Sequence, residues 1–209
     1  MKKTKIVTSI GPASSSVEVF EKMVEAGANV ARINFSHATI EERETVVSTV
    51  KEVRKRTNKN IAILYDTKGP EFRSGVAKED GISLVSGKTI KIVKEDVIGN
   101  EERFTVNHKT AIDALQIGDI VLLENGLMKI EVIEKAEDYV NCKIINGGIL
   151  FSKKSLSAPG VDLNIPFISD IDREDIIYAC QHEGDYLAAS FVESAQNIYD
   201  IREILKEQN

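Results

Sequence analysis

The 209-residue chain has no tryptophan, two cysteines, three histidines and four prolines, and its aromatics amount to only 6%. Cys142 and Cys180 lie far apart and show no ligand spacing, and the histidines stand alone at 37, 108 and 182. Both facts argue against a zinc or disulfide framework and fit reduced thiols in a cytoplasmic protein. No run approaches the roughly 18 apolar residues of a membrane span. The N-terminus, Met1-Lys2-Lys3-Thr4-Lys5-Ile6-Val7, has charge but no apolar core of a signal peptide. An excess of positive charge is also missing. Lys and Arg number 27 against 33 Asp and Glu, a net of −6 with no basic block, which disfavours a nucleic-acid surface while leaving room for local basic pockets. The sequence does have 42% apolar and 29% charged residues, an ordinary globular balance.

The first third alternates short β-rich runs with helical patterns. Strands are expected at 5–10, 29–34 and 60–65. Ser14-Ser15-Ser16 can cap a first helix with Val19, Phe20, Met23 and Val24 on one face, ending at Gly27. A second helix is expected from about Ile40 to Arg56, acidic in its first turns and basic near its end, as the helix dipole favours. This is the rhythm of a parallel βα sheet. After Gly69-Pro70, a rigid exit with the look of a hinge, helical periodicity disappears until about Gly160. Asn125-Gly126, between Ile120–Leu123 and Leu127–Ile133, reads as a hairpin. Ser86-Gly87-Lys88-Thr89 resembles the end of a phosphate loop, but position 82 is isoleucine and no helix follows, so a hairpin turn is expected. The βα rhythm then returns: a helix capped by Ser169 running to about His182, a strand at 185–191 and a helix over 194–207. The fold class expected is α/β, a partial (β/α)8 barrel of about four units with an inserted all-β barrel domain. Residues 1–69 and 161–209 form the half-barrel and residues 70–160 the insertion.

In such a barrel, chemistry sits at the C-terminal ends of the strands. At the end of the second strand, alternation sets Arg32, Asn34 and Ser36 on one face and Ile33 and Phe35 on the other. The Arg32 guanidinium suits a phosphate or carboxylate ligand, or else pairs with a buried carboxylate. Asp66 and Thr67, ending the third strand, offer hard oxygen ligands for an alkali or alkaline-earth cation, and Asp66 equally suits a salt bridge to Lys68 or Arg32. Ser152-Lys153-Lys154 can reach a polyphosphate if the insertion closes as a lid, or can be a solvated lysine pair.

Taken together these runs resemble pyruvate kinase. The resemblance rests on Thr4–Ser14, Asn29–His37, Asp66-Thr67-Lys68-Gly69-Pro70-Glu71-Phe72-Arg73, Ser152–Lys154 with Pro159–Leu163, Ser169–Asp172 and Ala189–Val192, all in the family's order. It implies phosphoryl transfer from phosphoenolpyruvate to ADP, giving pyruvate and ATP in glycolysis, with K⁺ and Mg²⁺. By position it implies that Arg32 contacts the substrate phosphate and that Asn34, Ser36, Asp66 and Thr67 form the K⁺ site. Asn34, Phe35, Ser36, His37, Arg73 and Lys154 would face the nucleotide phosphates. The family's enolate-stabilising lysine and its Mg²⁺ carboxylates belong to a fifth and sixth strand beyond Asn209, so no catalytic residue is expected within these residues and the isolated chain is expected to be inactive. Three positions depart from the family pattern: Glu124-Asn125-Gly126 replaces two aspartates before glycine, Ser155 replaces glycine, and Glu193 stands where arginine is common. Open strand edges and an uncovered barrel interior imply a homo-oligomer. The alternative expectation is a non-catalytic relative that binds phosphates or a partner.

Overall fold

The computed structural model describes residues 3–208 and divides the chain into two compact units, Met1–Pro70 with Phe167–Asn209, and Glu71–Pro166. The first unit begins with strand β1 (Ile6–Ser9), helix α1 (Val17–Ala26), strand β2 (Ala28–Asn34), helix α2 (Ile40–Thr57) and strand β3 (Ala62–Asp66). The boundaries are set by local chemistry. The Ser16 hydroxyl accepts the Val19 N–H at the start of α1, and Gly27, at φ 118°, closes its end. At α2, Thr39 and Glu42 form a reciprocal capping box, and Arg54, Lys55 and Arg56 occupy the last turn.

Within the second unit run β4 (Ile82–Leu84), β5 (Thr89–Val93), β6 (Arg103–Thr105), the four-residue helix α3 (Ala111–Ala114), β7 (Ile120–Leu123), β8 (Met128–Lys135), β9 (Tyr139–Asn146), β10 (Gly148–Leu150) and β11 (Leu156–Ser157). A six-stranded sheet has the order β11-β7-β8-β9-β5-β6, and β10 pairs with β4. Ile92, Val121, Ile130, Val140 and Cys142 alternate inward to a core with no solvent exposure, and Val161, Leu163 and Ile165 pack against it. The Asn125-Gly126 hairpin is present between β7 and β8, with Glu124, Asn125 and Gly126 all at positive φ. The expected hairpin at 86–89 is not. Gly87 turns the chain, but β4 pairs with β10 and β5 pairs with β9 and β6, so the flanking strands part company. Local alternation predicts two strands and a turn, and long-range partners decide what they pair with.

The chain returns to the first unit with α4 (Asp170–Gln181), β12 (Tyr186–Ala188) and α5 (Ala195–Glu207), the helices capped by Ser169 and Ser194. The parallel sheet has the order β1-β2-β3-β12. Ala31 and Ile33 of β2, Ile63 and Tyr65 of β3, and Val46, Val47, Val50 and Val53 of α2 fill the space between sheet and helices. β12 is shorter than the seven-residue run the sequence suggests. Ser190 turns to hydrogen-bond the loop after β3, and Phe191 takes a left-handed conformation (φ 59°), which ends extended structure at Ala188.

Candidate functional site at the strand ends

Parallel registers align Ser9 with Arg32, Asn34 with Asp66, and Asp66 with Ala188, so these residues share the face opposite the helices. Apolar alternation explains the arrangement. Ala31, Ile33 and Phe35 are buried toward the helices, which leaves Arg32 and Asn34 on the other side, half-buried. The alternation stops at Asn34. Ser36 lies in a turn, where its N–H donates to Asn34 Oδ1 (3.0 Å) while the Asn34 carbonyl accepts the N–H groups of His37 (3.2 Å) and Ala38 (3.0 Å). Asn34 therefore organises the turn that presents Ser36 and His37.

Asp66 is the hub. Its Oδ2 accepts Arg32 Nε at 2.8 Å and also Arg32 Nη2, while its Oδ1 accepts the Ser190 hydroxyl at 3.0 Å. Arg32 Nη1 donates to the Ser9 hydroxyl at 2.6 Å. Of the open alternatives, the guanidinium is paired with a carboxylate, and that carboxylate's partner is Arg32. The Arg32 side chain still keeps 31% of its exposure, so one side remains open to a ligand. Thr67, buried, accepts the Ser190 N–H on its hydroxyl (3.1 Å) and donates its own N–H to the Ala188 carbonyl (3.0 Å). Gly69 at φ 65° completes the loop. Its N–H donates to Asp172 Oδ1 (2.9 Å), and a Cβ there would stand 2.9 Å from the Ser190 carbonyl oxygen. Ser9, Ser190 and Asp172 are the functional neighbours that reading the residues alone missed. Each stands at a strand end or helix cap, but their partners lie 23, 124 and 103 residues away.

Beside this network a cavity of about 420 Å³ opens between the ends of β1 and β2 and the start of α2, lined in part by Gly11, Pro12, Ser15, Asn34, His37 and Glu41. Its lining is partly apolar, with Ile10, Ile33 and Val46 below the polar rim.

Arg73 and Lys154 belong to the second unit, on adjacent segments, for Arg73 bridges Ser155 and the Ser74 N–H donates to the Lys154 carbonyl (2.8 Å). Both cations carry counterions. Arg73 grips Glu71 with Nε (2.9 Å) and Nη2 (2.7 Å), bonds that push its basicity still higher, and donates Nη1 to the Lys153 carbonyl (2.9 Å). Lys154 Nζ pairs with Glu124 at 2.7 Å. Two of the three departures from the family pattern meet here: the Glu124 N–H donates to the Ser155 carbonyl (2.7 Å), the Asn125 N–H to the Ser155 hydroxyl (3.1 Å), and that hydroxyl to Asn125 Oδ1 (2.9 Å).

A parallel βα sheet whose charged and hydroxyl groups converge at the C-terminal ends of its strands defines a barrel-type domain with its ligand end at those loops. Comparison with known proteins narrows this. The family model described as "Pyruvate kinase, barrel domain" matches residues 1–209. The chain is 44% identical over 211 residues to a pyruvate kinase of Staphylococcus haemolyticus and 43% identical over 210 residues to one of Staphylococcus aureus, in each case covering all of this chain and 36% of the relative. It superposes with a TM-score of 0.89 and 32% identity on the crystal structure of a pyruvate kinase from Cryptosporidium parvum, covering 98% of this chain and 42% of that one. The chain belongs to the pyruvate kinase family and spans just over a third of the length of these staphylococcal relatives. Among the described residues no helix is long and apolar enough to cross a membrane.

Proposed function

We propose that this chain supplies the phosphate- and potassium-binding part of a glycolytic phosphotransferase that moves phosphoryl from phosphoenolpyruvate to ADP, giving pyruvate and ATP. The observation that carries the reading is the Arg32–Asp66–Ser190–Thr67 network, a partly exposed guanidinium paired with Asp66 beside an oxygen-rich cluster at the strand ends. Arg32 holds the substrate phosphate, the planar fork matching two of its oxygens. The Asn34–His37 turn presents side-chain and main-chain groups to the nucleotide phosphates, and the partly apolar cavity beside His37 takes the nucleoside. Arg73 and Lys154 meet the polyphosphate by exchanging glutamate partners for phosphate oxygens.

The donor set of Asn34, Ser36, Asp66 and Thr67 is all oxygen with a single formal charge, which fits a monovalent cation such as K⁺. Bound there, K⁺ would add positive charge beside the phosphates. For Mg²⁺ the fit is poor, because the described residues hold no group of three His, Cys, Asp or Glu placed for a metal. By the resemblance, the lysine and carboxylates of the transfer step have no counterpart among these residues, and in this reading the 209 residues bind ligands without turnover. Residues 70–160 are an all-β insertion in the half-barrel of 1–69 and 161–209, and the exposed sheet face is closed by a second copy.

Calorimetric titration of the chain with phosphoenolpyruvate and with ADP, in K⁺ and in tetramethylammonium, tests the binding. Arg32→Gln should abolish phosphoenolpyruvate binding, and a wild-type chain that binds neither ligand would defeat the proposal. A coupled pyruvate assay should show no turnover, and K⁺-dependent turnover would defeat the claim that the chain alone only binds.

A further inference from the structure

α2 is dominated by charge in its first turns, yet one of its charges faces inward. Arg43 precedes Val46, Val47, Val50 and Val53 at helical spacing, all buried, and its side chain retains 11% of its exposure. The guanidinium reaches three partners at once. Nη1 pairs with Asp175 Oδ1 of α4 at 2.6 Å, Nε donates to the Ala38 carbonyl at 3.0 Å, and Nη2 donates to the Phe35 carbonyl at 3.4 Å. Its plane also lies 4.3 Å from the centre of the Phe35 ring, which in turn stacks on Tyr65 at 5.1 Å.

Both carbonyls belong to the turn that carries Asn34, Ser36 and His37. We infer that Arg43, anchored by Asp175, is a positioning residue that fixes this turn from behind, a role that rests on the turn's reading as a nucleotide- and potassium-binding element. The chemistry requires an arginine. The two carbonyls stand three residues apart and face one donor group, so only a planar fork can serve both while a third nitrogen keeps the carboxylate. Asp175 supplies the anchor. Its side chain is 8% exposed, and burial pushes its carboxyl up while Arg43 pulls it down, so the pair holds a site where neither charge is comfortable alone. Such an arrangement contributes geometry more than stability, since a buried ion pair is often replaced by apolar residues without loss of stability.

The test separates the two. Arg43→Met/Asp175→Leu should melt near the wild type while its affinities for ADP and for K⁺ fall about tenfold or more, the range for a group that orients a ligand from behind. Arg43→Lys, which keeps the charge on Asp175 and loses the fork, should show the same fall. In both variants the amide protons of Phe35, Ser36, His37 and Ala38, which donate to Asp66, Asn34 Oδ1 and the Asn34 carbonyl, should exchange faster, with β8 and β9 as the unchanged control. Folded variants with unchanged affinities and unchanged exchange at 35–38 overturn the inference. If the double variant does not fold, Arg43→Lys decides by the same readouts. If the wild-type chain binds no ADP, the proposed function fails and exchange at 35–38 alone judges the positioning role.

Discussion

Replacing Asp66 with asparagine sets two consequences of the strand-end network against each other. The carboxylate accepts two bonds from Arg32 on Oδ2 and one from Ser190 on Oδ1. Asparagine keeps an acceptor oxygen for one of these partners and removes the charge. A charge-assisted hydrogen bond contributes about 1.5–3 kcal/mol when well buried. With side-chain exposures of 31% for Arg32 and 15% for Asp66, solvent screening brings the expected loss to about 1–2 kcal/mol. For a chain of this size that is a fall in melting temperature of roughly 2–8 °C. Affinity should move the other way. In the wild type without K⁺, Asp66 satisfies the guanidinium that a phosphate needs, so anions compete with an internal carboxylate. Asp66→Asn frees Arg32, and inorganic phosphate in tetramethylammonium buffer should bind about tenfold tighter, a gain of about 1.4 kcal/mol. K⁺ should then cease to affect phosphate affinity, because the charged ligand it would use is gone. Calorimetry with inorganic phosphate, paired with a thermal melt, reads both effects. A variant that loses stability but binds phosphate no tighter than the wild type without K⁺ would refute the claim that Asp66 masks Arg32.

Three further outcomes are expected. Gly69→Ala forces a Cβ onto a residue at φ 65° and to within 2.9 Å of the Ser190 carbonyl oxygen, and should cost about 2–3 kcal/mol in a denaturant melt; a loss below 0.5 kcal/mol would show that the loop yields freely. A thiol reagent at about pH 8 should label Cys180, which is exposed, while Cys142, whose thiol burial pushes up to about 12, reacts only on unfolding; two equivalents reacting at the same rate would contradict the packing of the second unit's core. Val7 and Tyr186, half or more exposed on the face shared with Arg32, should drive self-association, with light scattering at tens of micromolar reporting a dimer that Tyr186→Ser weakens; a monomer for the wild type would count against that interface.

Much of the fold is legible because its signals are local. Ser16, Ser169 and Ser194 cap helices within three residues of the groups they satisfy, and Asn125-Gly126 turns between strands it directly joins. The pairing of β4 with β10 is not legible, since its two strands are separated by more than sixty residues and neither carries a mark of the other. The site divides in the same way. Alternation along β2 announces Arg32 and Asn34, while the strand-end position of Asp66 leaves a cation ligand and a salt bridge to Arg32 or Lys68 equally open. Nothing local tells that Glu124 neutralises Lys154, or that Arg43 turns inward to Asp175 from a helix start crowded with glutamates. A charge seen in sequence has a type, and only its three-dimensional neighbours give it a direction.

The contact between Ser155 and Glu124-Asn125 carries a consequence for how this protein can change. The Ser155 hydroxyl donates to Asn125 Oδ1 and accepts the Asn125 N–H, and Glu124 holds Lys154 from the same turn. Restoring a glycine at 155 alone strips Asn125 of both partners, whereas an aspartate at 125 alone accepts the same hydroxyl proton on a carboxylate oxygen. The order of change therefore matters, because the state of residue 125 sets what the loss of the hydroxyl at 155 costs. A chimera that exchanges the 124–126 turn with a relative's should therefore carry residue 155 along with it.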